Sequence, residues 1–288
     1  SWKTGMLEWE NTINPLASGV KCAWKVTTVS WSYMNELTWN SNGLEALFEY
    51  EKGKCSGILN GIDNEVWNPD TDTYLTTHYN SKTANKGKAA IKKELCEQFN
   101  LDAEKPLIIF IGRLVGEKAA DVLPDAITSA LYNLQGMVNF LILGSGDPQV
   151  EWQLQNLNNH FPGYYHAVIG YNEALSHKMY AGADFLLMPS RVEPCGLNQM
   201  YALRYGTVPM VRSTGGLQDT VVDFGDEGGY GIRFNYATVN DILHSINRAV
   251  EVFGDVEKLT AMRIKMMNID NSWENAVDNY LNLYQSLL

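Results

Sequence analysis

The chain has 288 residues, 45% of them hydrophobic and 19% charged, with a formal net charge of −11. That size and apolar content fit one large α/β domain or up to two ordinary ones around a sizeable core. The acidic balance argues against nucleic acid or an anionic membrane as partner, so any phosphate must be met by a few local cations. Four cysteines (Cys22, Cys55, Cys96, Cys195) form no CxxC pair and no metal-like cluster with the histidines. Their pattern predicts no metal centre and a reduced, cytoplasmic setting. No apolar run is long enough to span a membrane, and no signal peptide is visible.

In chain order, Lys25–Ser30 reads as a strand, Trp31–Leu37 as a helix, and Cys55–Asp63 as a strand running into a Gly/Asn turn. Asn64–Lys86 is polar and loop-like, and Lys88–Phe99 is helical. A change of composition near Asn60–Gly61 marks the best domain boundary. Short apolar runs then recur at Leu107–Ile111, Val138–Leu143, Tyr165–Ile169, Phe185–Met188 and Val208–Val211, with a weaker one at Gly231–Phe234. Segments of helical spacing lie between them: Ala119–Leu134, Val150–Asn159, Ala174–Ala181, Asn198–Tyr205 and Leu217–Asp223. Continuous apolar strands alternating with amphipathic helices predict a doubly wound parallel α/β sheet covered on both faces. Asn240–Phe253 and Val256–Asn268 read as surface helices. Asp270-Asn271-Ser272 caps a last helix, Trp273–Leu288, with Trp273, Ala276, Val277, Tyr280, Leu281 and Tyr284 on one apolar face.

In such folds ligands sit beyond the carboxyl ends of the strands. Polar clusters follow each strand: Gly112–Lys118, Gly144–Asp147, Gly170–Glu173, Pro189–Gly196 and Ser213–Gly216. The stretch from Pro189 to Thr220 is the most informative. It sets a lone acid, Glu193, on a loop, then opens one helix after Gly196 and a second at Ser213-Thr214-Gly215-Gly216. Unpaired N–H groups and the dipole at such helix starts favour an anion. A carboxylate beside an anion cradle predicts a site for a polar, phosphate-bearing ligand.

These residues carry a family resemblance. KVTTVS (Lys25–Ser30), GILNGID with WNP (Gly57–Asp63, Trp67–Pro69), GRLVGEK (Gly112–Lys118), GSGD (Gly144–Asp147), GYNEALSHKMYAGAD (Gly170–Asp184), PSRVEPCGLNQMYALRYG (Pro189–Gly206) and STGGLQDTV (Ser213–Val221) stand in the order and spacing of one family. The chain resembles the C-terminal portion of bacterial glycogen synthases and plant starch synthases, retaining glucosyltransferases of GT-B architecture. The resemblance runs from about Val20 to Leu288. It implies a remnant of an N-terminal, acceptor-side domain (1–59), a Rossmann-like nucleotide-sugar domain (60–268) and a C-terminal helix crossing back (269–288).

The resemblance also implies roles. Arg113 and Lys118 contact the diphosphate of the donor, stabilising negative charge that builds on the leaving oxygens. Without it, an arginine and a lysine five apart are ordinarily solvated surface charges. Glu193 accepts hydrogen bonds from glucose hydroxyls and is not a nucleophile; the plainer alternative is a carboxylate capping the helix near Gly196. Tyr201 stands where broader relatives carry a second acid. Thr214, Gly215, Gly216 and Leu217 supply backbone donors to the distal phosphate and sugar, flanked by Ser213 and Thr220, where a plain strand-to-helix turn is the alternative. Tyr171 stacks on the nucleotide base. Gly112, Asn60, Cys195, Gly196 and Leu197 complete the expected donor contacts, Cys195 as a buried thiol without metal or nucleophile chemistry. Glu117 brings a negative charge close to the phosphate site.

The expected reaction passes glucose from ADP-glucose, or UDP-glucose, to the non-reducing end of an α-1,4-glucan, with no cofactor. Lys3-Thr4-Gly5-Met6-Leu7 is not read as the family's donor loop, because no strand precedes it and Met6 replaces a required glycine. Two alternatives stay open: a nucleotide-binding module without turnover, and a different doubly wound sugar-phosphate enzyme. The expected truncated surface, including Lys25–Ser30 and the apolar face of the last helix, predicts self-association.

Overall fold

The computed structural model describes residues 7–288. Lys3–Met6 of the KTGML segment lie outside the described residues. The described residues open with an antiparallel pair, β1 (Glu8–Trp9) and β2 (Thr12–Ile13), and a helix, α1 (Pro15–Cys22), capped by the Asn14 side chain. Next come β3 (Val26–Thr28), α2 (Trp31–Glu36), α3 (Glu45–Glu51) and β4 (Cys55–Gly57), with β3 and β4 pairing in parallel. A small core gathers Ala17, Val20, Met34, Leu44, Leu47, Phe48 and Cys55. The expected strand at Lys25–Ser30 stops short because Ser30 leaves it to cap α2, its hydroxyl accepting from the Tyr33 N–H. The strand expected to run on to Asp63 ends at Gly57, which lies so close to the Ser30–Trp31 backbone that no side chain fits there.

The larger core belongs to α4 (Ala84–Phe99), β5 (Leu107–Leu114), α5 (Leu123–Asn133), β6 (Asn139–Gly146), α6 (Pro148–His160), β7 (Tyr165–Ile169), α7 (Glu173–Gly182) and β8 (Phe185–Met188). It continues through α8 (Asn198–Arg204), β9 (Val208–Arg212), α9 (Gly215–Thr220), β10 (Ile232–Phe234), α10 (Val239–Gly254) and α11 (Val256–Met267), and α12 (Trp273–Gln285) ends the chain. The six strands form one parallel sheet in the order β10-β9-β8-β5-β6-β7. The chain winds outward from β5 to β7, then returns to β8 and winds the other way. The crevice between β5 and β8 is therefore the point where the strand order reverses, the expected place for a ligand. The continuous apolar runs are buried because helices cover both faces: Leu107–Phe110 and Phe185–Met188 are almost wholly inaccessible.

Helices α4, α5 and α9 begin away from their expected starts. Two short 3₁₀ segments, Gly116–Lys118 and Ala120–Val122, flank Ala119 at φ +53°, and α5 starts only at Leu123. The helix expected at Leu217–Asp223 instead covers Gly215–Thr220. The polar Asn64–Lys86 stretch is loop-like only in its first part, since α4 already begins at Ala84. Aromatic anchors fix that loop. The Trp67 indole lies between the His177 and Tyr201 rings, with centroids 3.9 and 3.8 Å away. The fully buried Tyr79 hydroxyl donates to the carbonyls of Ala181 and Tyr205. Deeper in, the Asp184 carboxylate joins Lys92 of α4 at 2.7 Å, Arg263 of α11 at 2.8 Å and the Leu107 N–H of β5 at 3.0 Å.

The chain passes between the two cores twice, at residues 58–62 and 270–273. These passages touch: Ile62 bridges Ser272 and its N–H donates to the Asn271 carbonyl at 2.8 Å. Beyond this point α12 runs beside β3 and β4, with Tyr280, Tyr284 and Leu287 flanking a groove shared with Trp24 and Thr27. Only Ala276 of its apolar face is buried; Trp273, Val277, Leu281 and Tyr284 are about half exposed.

Candidate functional site

Two adjoining cavities open at the carboxyl ends of β5, β6, β7 and β8. One, about 300 Å³, is lined by Trp67, Gly112, Arg113, Gly144, Ser145, Gly170, Tyr171, Glu173, Asn198 and Tyr201 among others. The second, about 220 Å³, is lined by Phe110, Gly112, Arg113, Lys118, Ser190, Glu193, Leu197 and Asn198 among others. They share Ile111, Gly112, Arg113 and Asn198. The shared wall is held by Asn198, whose side-chain amide donates to the Ile111 carbonyl at 2.7 Å.

Lys118 and Glu193 meet here at 2.5 Å. Glu193 is buried, and its same oxygen accepts from the Ser190 hydroxyl at 2.9 Å. The carboxylate thus points into the smaller cavity and makes no helix cap; α8 starts without a side-chain cap. Lys118 is placed by the turn after β5, which Arg191 clamps from the facing loop. Its guanidinium donates to the Gly116 carbonyl and forks onto Asp121 at 2.6 and 2.8 Å, and its N–H donates to the Glu117 carbonyl. The hydrogen bond from Arg191 holds the Asp121 carboxyl below its usual range. Arg113 is exposed at the junction of the cavities and pairs with Glu117 at 3.2 Å. The negative charge expected near the phosphate site is therefore partly spent on Arg113.

Tyr171 stands at the mouth of the larger cavity, 88% exposed, its hydroxyl donating to Glu173. An exposed ring in that place can take a planar group on its face. Gly196 adopts φ +74°, and a side chain there would strike Gln199, whose amide donates to the Cys195 and Gly196 carbonyls. Leu197 lines the smaller cavity.

The remaining expected contacts lie elsewhere. Asn60 lines a different cavity with Trp31, Asp219 and Asn275. Cys195 is buried; desolvation pushes its thiol pKa up, against a smaller opposing effect of the Asn60 backbone amide. Ser213 accepts from Arg233, and Thr220 is enclosed by Gln199 and the Gly216 carbonyl. In this structure the expected phosphate donors at Thr214–Leu217 are engaged within the chain. The Glu36 carboxylate accepts from the Gly215 N–H at 2.7 Å and the Thr214 hydroxyl at 2.9 Å, while the Gly216 N–H donates to the Glu193 carbonyl at 3.0 Å. None of Ser213–Thr220 lines either cavity.

Sequence reasoning did not single out Ser190, Asn198 or Trp67 as site residues. The serine and asparagine lie within the quoted PSRVEPCGLNQ motif, which was the available signal; Trp67 lay in the WNP motif. His177 is buried, stacks on Trp67 and has its Nδ1 2.7 Å from Asp72. Among the described residues no group of three or more His, Cys, Asp or Glu side chains is placed to hold a metal ion.

The six-stranded, doubly wound parallel sheet matches one half of a GT-B glycosyltransferase fold. The chain belongs to the glycosyl transferases group 1 family, which matches residues 91–258, and the starch synthase catalytic domain family matches residues 1–50. It is 52% identical over 284 residues to a glycogen synthase of Flavobacterium johnsoniae, covering 99% of this chain and 60% of that protein. A glycogen synthase of Actinobacillus pleuropneumoniae is 38% identical, with 98% of this chain and 60% of the relative covered. Among solved structures, the catalytic domain of starch synthase IV from Arabidopsis thaliana, bound to ADP and acarbose, superposes with a TM-score of 0.85. It is 34% identical and covers 95% of this chain and 58% of its own. The chain thus spans about 60% of the length of the curated relatives it matches.

Proposed function

We propose that this chain forms the donor side of a retaining glucosyltransferase that moves glucose from ADP-glucose, or UDP-glucose, to the non-reducing end of an α-1,4-glucan. The observation that carries the reading is the Lys118–Glu193 pair in the smaller cavity, with Arg113 at its junction with the larger one. In this reading Lys118 and Arg113 take the diphosphate, so that charge growing on the leaving oxygens meets fixed cations in a partly dry cleft. Lys118 then exchanges part of its bond to Glu193 for phosphate, and the freed carboxylate lone pairs accept from sugar hydroxyls. Tyr171 receives the base, and the cavity lined by Gly112, Gly144 and Gly170 admits the nucleoside close to the backbone. The similarity to glycogen synthases and to an ADP-bound starch synthase supports this choice of substrates. Four free cysteines support a reducing, cytoplasmic setting.

A second reading, nucleotide binding without transfer, is favoured by one observation. Every residue lining the two cavities belongs to the stretch 67–201, and none comes from the small N-terminal core. Calorimetry with ADP and ADP-glucose, beside a glucan elongation assay, separates the two. Binding with elongation supports the transferase reading, and binding alone supports the second. No binding of either nucleotide refutes both.

A further inference from the structure

The start of α9 is held from a distance. Gly215 has φ +45°, and neither Gly215 nor Gly216 can carry a side chain, because each packs on the backbone of the Glu193–Cys195 loop. A helix start leaves N–H groups without intrahelical partners, and Thr214 supplies no side-chain cap to its own helix. The partner comes from 179 residues earlier: Glu36, at the end of α2, accepts from the Gly215 N–H and the Thr214 hydroxyl. The next N–H, of Gly216, donates to the Glu193 and Pro194 carbonyls at 3.0 and 3.2 Å. Two further contacts hold α2 in this position. The Ser30 hydroxyl donates to the Pro194 carbonyl at 2.5 Å, and Ser32 binds Asp219 of α9 through its N–H at 3.0 Å and its hydroxyl at 2.5 Å.

We propose that Glu36 is a positioning residue for Glu193. Its carboxylate stands where an anion would sit at the Thr214–Gly216 turn, fixes that turn, and through the Gly216 N–H fixes the backbone from which the Glu193 carboxylate reaches Lys118. The turn is thereby a structural relay between α2 and the donor cavity. The consequence for ligand binding rests on the donor-site reading above; the positional claim does not.

The test compares the whole chain with its Glu36→Ala and Glu36→Gln variants. Hydrogen exchange in the unliganded protein should accelerate about ten- to a hundredfold at the amides of residues 191–197 and 214–217 in Glu36→Ala, the range set by loss of a hydrogen bond to a charged group. Glu36→Gln, which keeps an acceptor oxygen, should recover most of that protection, and the β5–β8 amides should not change. Unchanged exchange at 191–197, or a uniform rise across the chain, overturns the proposal. Calorimetry adds the functional arm. Glu36→Ala should lose the affinity advantage of ADP-glucose over ADP while ADP itself binds as in wild type. A retained advantage counts against the relay. Wild type that binds neither nucleotide refutes the donor site, and the exchange data then decide the positional claim alone.

Discussion

Lys118 is half-buried, and its ammonium is held by the carboxylate it would have to share with a ligand. Removing it should therefore act on binding more than on folding. In Lys118→Ala, ADP affinity should fall about ten- to a hundredfold, the range for losing a charged hydrogen bond, with the melting temperature close to wild type. Calorimetry beside a thermal melt checks both, and undiminished ADP affinity removes Lys118 from the site. That Lys118 and Glu193 serve one site was expected only through the family resemblance, and their direct pairing was not expected at all. The two lie 75 residues apart, and nothing in GRLVGEK alone distinguishes a ligand-binding lysine from a solvated one. Glu36 was not legible at all, since its partners are backbone groups far along the chain and no side-chain motif records them.

At the level of elements, the sheet was readable because strands buried on both faces are written as unbroken apolar runs. Tyr165–Ile169 and Phe185–Met188 form as expected, residue for residue. The ends of β5 and β6 were not readable. Gly112–Leu114 pairs with Gly144–Gly146, where glycines and polar residues look like loop yet allow close backbone approach. The packing of the Asn64–Thr83 loop was hidden for a related reason. A few aromatic rings, Trp67 and Tyr79, anchor a mostly polar stretch. Asp184 ties α4, α11 and β5 through Lys92, Arg263 and the Leu107 N–H, so Asp184→Asn should cost about 3 kcal/mol by leaving buried cations underpaired. A urea midpoint equal to wild type would contradict that role.

For the whole molecule, acid stability follows from its buried carboxylates. Burial alone would raise the pKa of Asp72, Asp184 and Asp223. Hydrogen bonds from His177 and Tyr205, charges of Lys92 and Arg263, and the Arg248 fork outweigh it, so each sits below the ordinary aspartate range. Depressed native values mean that the unfolded chain binds more protons below about pH 4. This carboxylate contribution should be level above about pH 5 and fall as the pH drops through the native values, as urea midpoints at pH 3 to 5 would report. A midpoint that does not move under acid would contradict the pairing. The exposed apolar residues Leu16, Trp24, Trp31, Val277, Leu281 and Tyr284 lead to a separate expectation. Sedimentation should show concentration-dependent association, weakened in Val277→Asp/Leu281→Asp; a strict monomer at high concentration would count against it.

The contact between Ile62 and Ser272 has a mechanical consequence. Both chain passages between the small core and the sheet run through one spot, joined by the Ile62 N–H and the Asn271 carbonyl. Two tethers side by side define a line, and twisting about that line is the softest relative motion they leave. Ser30, Ser32 and Glu36 bind the sheet side close to these tethers, so a twist about that line has to break their hydrogen bonds. A turn of the small core that releases them would loosen the loop of Glu193 without stretching either tether.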